Sequence, residues 1–512
     1  MMEEIIMKKI LTLVLALALI MSSTSALACT GFYVGKQASA NGATVIGHTV
    51  DAWTTAQGVT LVVPGVENEP GRVYKVADGV ELPLPDTTYQ YTTTPFIYGI
   101  WDGAVANEKG VAVTAAITCY VTEEIAEMDP TVENGLSEQF LCALVGMCAS
   151  SAREGVEVLA SYIDMFGNAE QNTILIADQN EAWYMETYTG HQWCAVKMPE
   201  DCVAVFGNEF MLGAIDPDSD DVMYSDGLFS MPEEAGLAVY TEDGQMDLFA
   251  TYSGGVLKDG SNLRTWYGHV LFAPSTAGDY ATETRYDLFY QPDEPITINQ
   301  VFDMTRSRYE GTEYCPETKE DYAYDTRVIA IERQVNIGAI EVYDSLPAEM
   351  SCVTWVCTAD AEHSVYLPVS NLVTDVAEAY KYIPEEGGPD DQLAHYCFKR
   401  LSALSKQNRA QYGQGVRDYW HSVEADLAAE YPTVLAETQA LYKTDPEAAA
   451  AYITEYTIGV QEKALADANQ MFDELMWYVV SNTNTMLDPN SVDPFVPSLA
   501  VAEEDAEVDA AA

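Results

Sequence analysis

The stretch CTGFYVGKQASANGATVIGHTVD, residues 29–51, carries a β-hairpin signal and begins with a cysteine. Two runs rich in β-branched and aromatic residues, CTGFYVGK and ATVIGHTV, flank the turn at residues 39–42. The Asn41-Gly42 pair within that turn is a strong hairpin signal, because both residues tolerate the positive φ angles of a tight turn. The pattern therefore predicts an N-terminal hairpin that starts at Cys29.

The residues before Cys29 have the three regions of a secretory signal peptide. Two lysines precede an apolar run at residues 10–21, which is too short to span a membrane, and a polar stretch follows. Ala26 and Ala28 satisfy the small-x-small rule of signal peptidase. We therefore predict that residues 1–28 form a signal peptide and that the secreted, extracellular protein begins at Cys29.

A lipoprotein signal also places a cysteine at this position, and the two interpretations are chemically exclusive. Lipidation consumes the thiol and acylation blocks the amine, so a lipidated Cys29 cannot be a nucleophile. Lipoprotein signals favour Leu three residues before the cysteine, whereas Ala26 stands there and Leu27 lies two residues before it. The signal alone favours plain cleavage and leaves a surface lipoprotein as the alternative.

The composition describes an acidic globular protein. The chain has 512 residues, 48% of them hydrophobic, and its 80 acidic and 24 basic residues give a formal charge of −56. Phosphate binding needs clustered Lys and Arg, so we expect no nucleic-acid partner. No later apolar segment is long enough to span a bilayer, so we expect no membrane span. The oligomeric state stays open, and a homo-oligomer is compatible with the sequence.

The cysteine and histidine spacing predicts no metal site and no cofactor, because no paired CxxC or HExxH pattern occurs. If Cys29 is free, the other nine of the ten cysteines cannot all pair internally. Cys352 with Cys357, or Cys194 with Cys202, could close local disulfides in an exported protein.

Residues 29–385 are predicted to form one strand-rich catalytic domain. Helical segments are expected around residues 134–149 and 152–166, between two groups of strands. After the hairpin, the predicted strands are VTLVVP, GVAVTAAITCY, NTILIAD, EAWYMETY, CVAVF, RVIAIE and SVYLPV. This order indicates an α+β protein with sheets and helices in layers, and not a βαβ repeat.

The pattern changes after a predicted linker at residues 385–389. Residues 390–482 have the apolar spacing of helices, which we expect to pack on the catalytic part or extend it. Asp445, followed by a proline, is predicted to cap one of these helices. Residues 491–512 are acidic and Ala-rich, and they are predicted to be a disordered tail.

A free N-terminal cysteine would combine two reactive groups in one residue. The reference pKa is ~7.7–8.0 for an α-amine and ~8.5 for a thiol, so the amine can act as a base near neutral pH. A nucleophile and a base held together are what acyl transfer requires. The thiolate attacks an amide carbonyl, the amine returns the proton to the leaving nitrogen, and water releases the acyl group.

Several motifs in order resemble PepD-type dipeptidases, which are N-terminal-nucleophile hydrolases related to choloylglycine hydrolase and penicillin V acylase. The motifs are the stretch at 29–51, NEKGVAV, SAREGVEVLASYIDMFG, EAWYMETYTGHQWCAVKMPEDCVAVFGNEF, YEGTEY and SVYLPVSNLVTDV. The resemblance covers most of the chain. It implies a four-layer αββα core, and it favours cleavage before Cys29 over lipidation because the family uses an unmodified cysteine.

The resemblance also implies roles for individual residues. Cys29 matches the nucleophile, and Asp51 matches an acidic residue that bonds near its amine, unless it is only a strand-end turn. Asn208 matches an amide donor of the oxyanion hole, with a turn former as the alternative. Many relatives carry Arg where this chain has His48, so activity is predicted to change around the pKa of His48, unless His48 is only a structural strand residue.

Three further residues complete the predicted site. The spacing between Asn208 and Arg264 is similar to that between the corresponding asparagine and a pocket arginine of bile-salt hydrolases. The resemblance therefore implies that Arg264 holds a substrate carboxylate or supports the nucleophile. Its alternative is a salt bridge with one of the many carboxylates. Asn107 and Thr118 are both candidates for the second oxyanion donor, or else ordinary turn and strand residues.

The predicted function is hydrolysis of short peptides, chiefly dipeptides, by a cysteine acyl-enzyme route outside the cell. An acylase or amidase acting on a non-peptide amide is the nearest alternative, because the same chemistry serves both. A non-catalytic surface lipoprotein that captures peptides is the alternative from another class of protein.

Overall fold

A computed structural model of the chain describes residues 29–53, 55–75, 81–96, 101–117, 120–318, 326–382, 389–482 and 492–500. The predicted signal peptide, Thr118, linker residues 385–388 and tail residues 501–512 lie outside these ranges. Among the described residues, no helix is long and apolar enough to cross a membrane.

Along the chain, the described strands fall into three groups, and each group is followed by helices. The strands are β1 (Thr30–Val34), β2 (Thr44–Asp51), β3 (Leu61–Val63), β4 (Val66–Glu67), β5 (Val73–Lys75), β6 (Glu81–Pro83), β7 (Thr87–Thr88), β8 (Tyr91–Phe96), β9 (Trp101–Asn107), β10 (Ala112–Ile117), β11 (Asn172–Ala177), β12 (Ala182–Thr187), β13 (Trp193–Lys197), β14 (Val203–Phe206), β15 (Val222–Tyr224), β16 (Gln334–Val342), β17 (Cys352–Thr358) and β18 (Tyr366–Ser370). The helices are α1 (Glu123–Met128), α2 (Glu138–Cys148), α3 (Ala152–Phe166), α4 (Ser230–Ala235), α5 (Leu248–Ser253), α6 (Asp259–Phe272), α7 (Ile298–Thr305), α8 (Ala394–Ser405), α9 (Gln414–Tyr442) and α10 (Pro446–Asn482).

Two antiparallel sheets form the centre of the molecule. The first has the order β14-β1-β2-β16-β17-β18, and the second has the order β15-β13-β12-β11-β10-β9-β8-β3. The predicted hairpin is confirmed, with Phe32 opposite Gly47 in the β1–β2 ladder. Gly42 in its turn has a φ of 79°, the left-handed conformation for which the Asn-Gly pair was diagnostic.

The sheets and helices form four layers because side chains alternate along each strand. Tyr33 of β1 and Tyr184 of β12 lie in a hydrophobic core between the two sheets. Phe32, next to Tyr33, faces outward into a second core with helices α6 to α10. Helices α2 and α3 cover the outer face of the second sheet through a third core. The predicted α+β, four-layer αββα class is confirmed.

The C-terminal helix α10 packs on α8, on α9 and on strand β18, while α9 also contacts β18 and α8 contacts β17. Trp420 and Met471 belong to the same hydrophobic core as Phe32, so these helices extend the catalytic part. Asp445 Oδ1 accepts a hydrogen bond from the N–H of Ala448 at 3.0 Å, which agrees with the predicted helix start.

The prediction of a strand at RVIAIE, residues 327–332, is wrong. These residues form an irregular segment before β16, in which Val328 and Ile329 are buried in the core. A short apolar run indicates burial, but it does not tell a strand from a buried loop.

The segment 492–500, which we predicted to belong to a disordered tail, packs on the helices. Phe495 is buried in the core, and its N–H donates to the carbonyl oxygen of Gln411 at 2.8 Å. One aromatic side chain anchors this segment, a detail that average composition does not reveal.

Neither proposed disulfide forms, since all nine described cysteines are free. Cys352 and Cys357 are five residues apart on β17, so they point to opposite faces of the sheet. Cys352 lies between the sheets, whereas Cys357 lies in the outer core.

Candidate active site

Cys29 lies directly before β1 and is 2% exposed. Its carbonyl oxygen accepts a hydrogen bond from Arg264 Nη1. The same nitrogen donates to Thr30 Oγ1 at 3.0 Å. The start of the hairpin is therefore fixed by a buried guanidinium group as well as by the strand ladder.

Arg264 connects Cys29 to Asn208. Arg264 Nη2 donates to Asn208 Oδ1 at 2.9 Å, and Arg264 Nε donates to the carbonyl of Gly260 at 3.0 Å. Because the guanidinium binds the amide oxygen of Asn208, the NH₂ end of that amide is the one directed elsewhere as a donor. Burial, followed by the charge of Arg327, lowers the pKa of Arg264 to about 9.

The alternative interpretation of Arg264 as a salt-bridge residue does not describe its contacts. Its hydrogen-bond partners are the carbonyls of Cys29 and Gly260, the amide of Asn208 and the hydroxyls of Thr30 and Ser261. Arg264 therefore supports the backbone of the predicted nucleophile.

Asp51 ends β2 and is fully buried. Its Oδ2 accepts a hydrogen bond from Arg327 Nη2, so the two form a buried ion pair. Burial raises the pKa of Asp51, and the positive charges of Arg327, Arg264 and Arg333 oppose that rise. The hairpin thus brings an acid to the cysteine, as predicted, and the structure adds the arginine partner.

The Cys29 thiol is held in its neutral form. Burial raises its pKa well above the ordinary value, and the charges of Glu138 and Asp51 raise it further. The backbone N–H of Asp51 and the charge of Arg327 act in the opposite direction. A thiol in this environment needs a base to remove its proton during attack.

His48 does not titrate where we predicted. It is buried, and burial lowers its pKa to about 3, so the ring is neutral throughout the mildly acid to mildly alkaline range. Its Nδ1 is hydrogen-bonded to Thr114 Oγ1. Burial outweighs the ordinary behaviour of the residue type, so this environment favours a His48 that does not respond to pH near neutrality, and the effect of pH on activity stays a prediction.

Asn107 is not available as an oxyanion donor. Its Nδ2 donates to the carbonyls of Gly146 and Ala149 at 3.0 and 2.8 Å. Its Oδ1 accepts from the N–H groups of Lys109 and Val111, both at 3.0 Å. Asn107 therefore closes a turn against the end of α2, while the other candidate, Thr118, lies outside the described residues.

Three residues near Cys29 were missed in the sequence. Glu138, the first residue of α2, is 1% exposed and raises the pKa of Cys29 through its charge. Arg327 pairs with Asp51, and the charge of Arg333 interacts with both Asp51 and Cys29. Arg327 is the first residue of the segment predicted as a strand, and Arg333 follows its last residue. Two basic residues so close together in so acidic a chain were the signal from which the sequence could have indicated a site here.

Potential metal ligands also meet at this point, although the spacing predicted none. The Cys29 sulfur, a ring nitrogen of His48 and a carboxylate oxygen of Glu138 lie within 4.8 Å of one another. These are donor types that bind zinc in proteins. The three residues are far apart in sequence, so no spacing motif could have revealed them. A metal ion bound there would occupy the thiol.

The chain matches a family model described as peptidase family C69 over residues 28–422, which confirms the family resemblance found in the sequence. It is 28% identical over 443 residues to "Probable dipeptidase B" of Streptococcus pyogenes serotype M1, covering 82% of this chain and 87% of the relative. It is 27% identical over 472 residues to "Probable dipeptidase B" of Lactococcus lactis subsp. lactis, covering 90% and 98%.

Similarity to solved structures is lower. A penicillin V acylase from Agrobacterium tumefaciens is 14% identical with a TM-score of 0.30, covering 67% of this chain and 86% of that one. A conjugated bile acid hydrolase from Clostridium perfringens is 11% identical with a TM-score of 0.27, covering 67% and 92%.

Proposed function

The chain belongs to peptidase family C69, and from this premise we propose that it is an exported dipeptidase that uses the thiol of Cys29. The relatives named as probable dipeptidases support the substrate class. The observation that carries the proposal is the Arg264 guanidinium, which binds both the Cys29 carbonyl and the Asn208 amide oxygen. It holds a nucleophile and an amide donor together in a buried site.

The first half of the reaction forms a thioester. Removal of residues 1–28 gives Cys29 a free α-amine with a reference pKa of ~7.7–8.0. The amine takes the thiol proton as the sulfur bonds to the carbonyl carbon of the scissile peptide. His48 is a poor base for this step, because burial lowers its pKa to about 3.

The second half releases both products. The ammonium of Cys29 returns its proton to the leaving nitrogen as the carbon–nitrogen bond breaks, and the C-terminal amino acid departs. A water molecule then attacks the thioester, giving one proton to the same amine. The thiol regains a proton as the N-terminal amino acid leaves as a carboxylic acid, so the enzyme is restored.

Two groups lower the barrier without changing covalently. The NH₂ group of Asn208 donates to the oxyanion of the tetrahedral intermediate, and one such donor contributes roughly 3–4 kcal/mol. The Asp51 carboxylate stabilises the ammonium of Cys29, and Arg327 favours the ionised form of Asp51 through its charge.

A substrate panel tests the proposal. The purified secreted protein is assayed with dipeptides, tripeptides, a conjugated bile salt and penicillin V, beside the Cys29→Ser variant. We expect turnover of the dipeptides and its loss in the folded variant. Turnover of only the bile salt or penicillin V would assign the acylase alternative, and binding of dipeptides without turnover would assign a capture protein.

A further inference from the structure

Glu138 is a buried acid whose second oxygen has no partner among the described residues. Its side chain is 1% exposed, and its Oε2 has no hydrogen-bond partner there. Leaving a buried polar atom unsatisfied costs on the order of 1–3 kcal/mol. Such a group at the nucleophile calls for a ligand that satisfies it.

The neighbour of Glu138 increases its need for a cation. Glu170 Oε1 accepts the backbone N–H of Glu138 at 2.8 Å, which places a second carboxylate beside the first. The pKa of Glu138 is raised well above its usual value by burial and then by the charge of Glu170. A positive charge that enters this space would be attracted by both carboxylates.

His48 presents a second hydrogen-bond acceptor to the same space. The Thr114 hydroxyl donates to the carbonyl of Gly103 at 2.9 Å, so its oxygen is left to accept from His48 Nδ1. In the neutral ring the proton is then on Nδ1 and Nε2 keeps a lone pair. His48 Nε2 is buried and has no partner among the described residues.

The position of these acceptors matches one end of a bound peptide. The α-nitrogen of an amino acid lies about 2.5 Å from its own carbonyl carbon. A carbonyl poised for attack lies about 3–3.5 Å from the sulfur. The α-nitrogen therefore lies within about 6 Å of Cys29 Sγ. Glu138 and His48 each have an atom within 4.8 Å of that sulfur.

We propose that Glu138, assisted by His48 Nε2, binds the α-ammonium group of the substrate's N-terminal residue and so restricts the enzyme to peptides with a free N-terminus. This inference rests on the proposed function and names the substrate group that it requires. An ammonium offers three donors and no acceptor, which complements a carboxylate and an imine nitrogen.

The Glu138→Gln variant tests the inference by selectivity. The value of kcat/KM is measured for Ala-Ala and for N-acetyl-Ala-Ala with both proteins. We expect the ratio of free to acetylated substrate to fall at least about 30-fold in the variant, the scale of losing one partner of a buried charge pair. An unchanged ratio in a folded variant would overturn the inference, as would a wild-type protein that cleaves both substrates equally.

Glu341→Gln is the matched control, because Glu341 is a buried acid at the other end of the hairpin ladder, in register with Val45, and bonds to Trp355 and Asn41. We expect it to keep the wild-type ratio. Dialysis against EDTA should also leave the ratio unchanged, and a change would assign the cluster to a metal ion instead.

A binding measurement keeps the inference testable if Glu138→Gln does not fold or if the proposed activity fails. Calorimetry on the Cys29→Ala protein should detect binding of Ala-Ala and at least about 30-fold weaker binding of N-acetyl-Ala-Ala. Equal affinities would overturn the role of Glu138. Binding of Ala-Ala by a protein whose wild-type form cleaves no dipeptide would reject only the proposed activity.

Discussion

Asp51 and Glu138 are both buried acids beside Cys29, yet their surroundings are opposite. Asp51 is paired with Arg327, and three arginines oppose the rise of its pKa. Glu138 has another acid, Glu170, as its charged neighbour, and its Oε2 has no partner among the described residues. Asp51 Oδ1 and Glu138 Oε2 both have no hydrogen-bond partner among the described residues, so the two acids differ in the charge around them. Arginines of the protein balance the charge of Asp51, whereas Glu138 is suited to a cation supplied by the substrate.

The Asp51→Asn variant tests whether the two acids have different roles. If Asp51 serves the nucleophile, the loss should reach every substrate, free or N-acetylated, because both need the same ammonium of Cys29. We expect kcat to fall about 10²–10⁴-fold, because proton transfer by the Cys29 amine, which usually contributes a factor of this size, depends on Asp51. Steady-state kinetics with both substrates measures this. A loss confined to the free dipeptide would place Asp51 on the substrate side instead.

The Asn208→Ala variant tests stabilisation of the oxyanion separately from the roles of Asp51 and Glu138. Removal of one oxyanion donor should lower kcat about 10²–10³-fold while KM changes little. The same kinetic series measures it. Turnover near the wild-type value would leave Asn208 as a turn former after β14.

The Glu138→Gln variant tests the contrast between the two acids through the free energy of unfolding. The pKa of Glu138 is raised in the folded protein, so folding binds a proton between its ordinary and folded values, and the free energy of unfolding falls as pH rises there. Glutamine removes this term. In urea unfolding, the stability of wild type relative to the variant should fall by up to about 1.4 kcal/mol per pH unit above the ordinary value of Glu. If the free energy of unfolding depended on pH in the same way in both proteins, a raised pKa of Glu138 in the folded protein would be contradicted.

The smallest effect is expected for the pH dependence of His48→Gln. Because burial lowers the pKa of His48 to about 3, the ring stays neutral from pH 5 to 8. The profile of kcat against pH should therefore keep its shape in the variant, whatever its height. The loss of an inflection near the ordinary histidine value would show that His48 titrates during catalysis.

The sequence predicted the parts of the site that depend on local pattern or on whole-chain resemblance. The Asn41-Gly42 turn and the alternating strands were sufficient for the β1–β2 hairpin, which joins Cys29 to Asp51. Arg264 and Asn208 came from the family resemblance, and the structure joins them by one hydrogen bond.

The remaining features depend on burial that arises only in three dimensions. A Glu in the first turn of a helix is ordinarily an exposed residue that favours the helix dipole, so the sequence gives no sign that Glu138 is enclosed. His48 was assigned the pKa of its residue type, although β10 covers it through Thr114. The side-chain amide of Asn107 donates a hydrogen bond to the carbonyl of Gly146 near the end of α2, which is 39 residues away in the sequence.

The N-terminus of the mature protein is the most direct test of the proposed mechanism, because the proposed base exists only if residue 29 is the first residue. Expression of the full chain, including the predicted signal peptide, followed by N-terminal sequencing and intact-mass measurement, determines it. We expect a sequence beginning Cys-Thr-Gly-Phe and the mass of an unmodified residue 29. A different first residue, or the added mass of a lipid on Cys29, would contradict it.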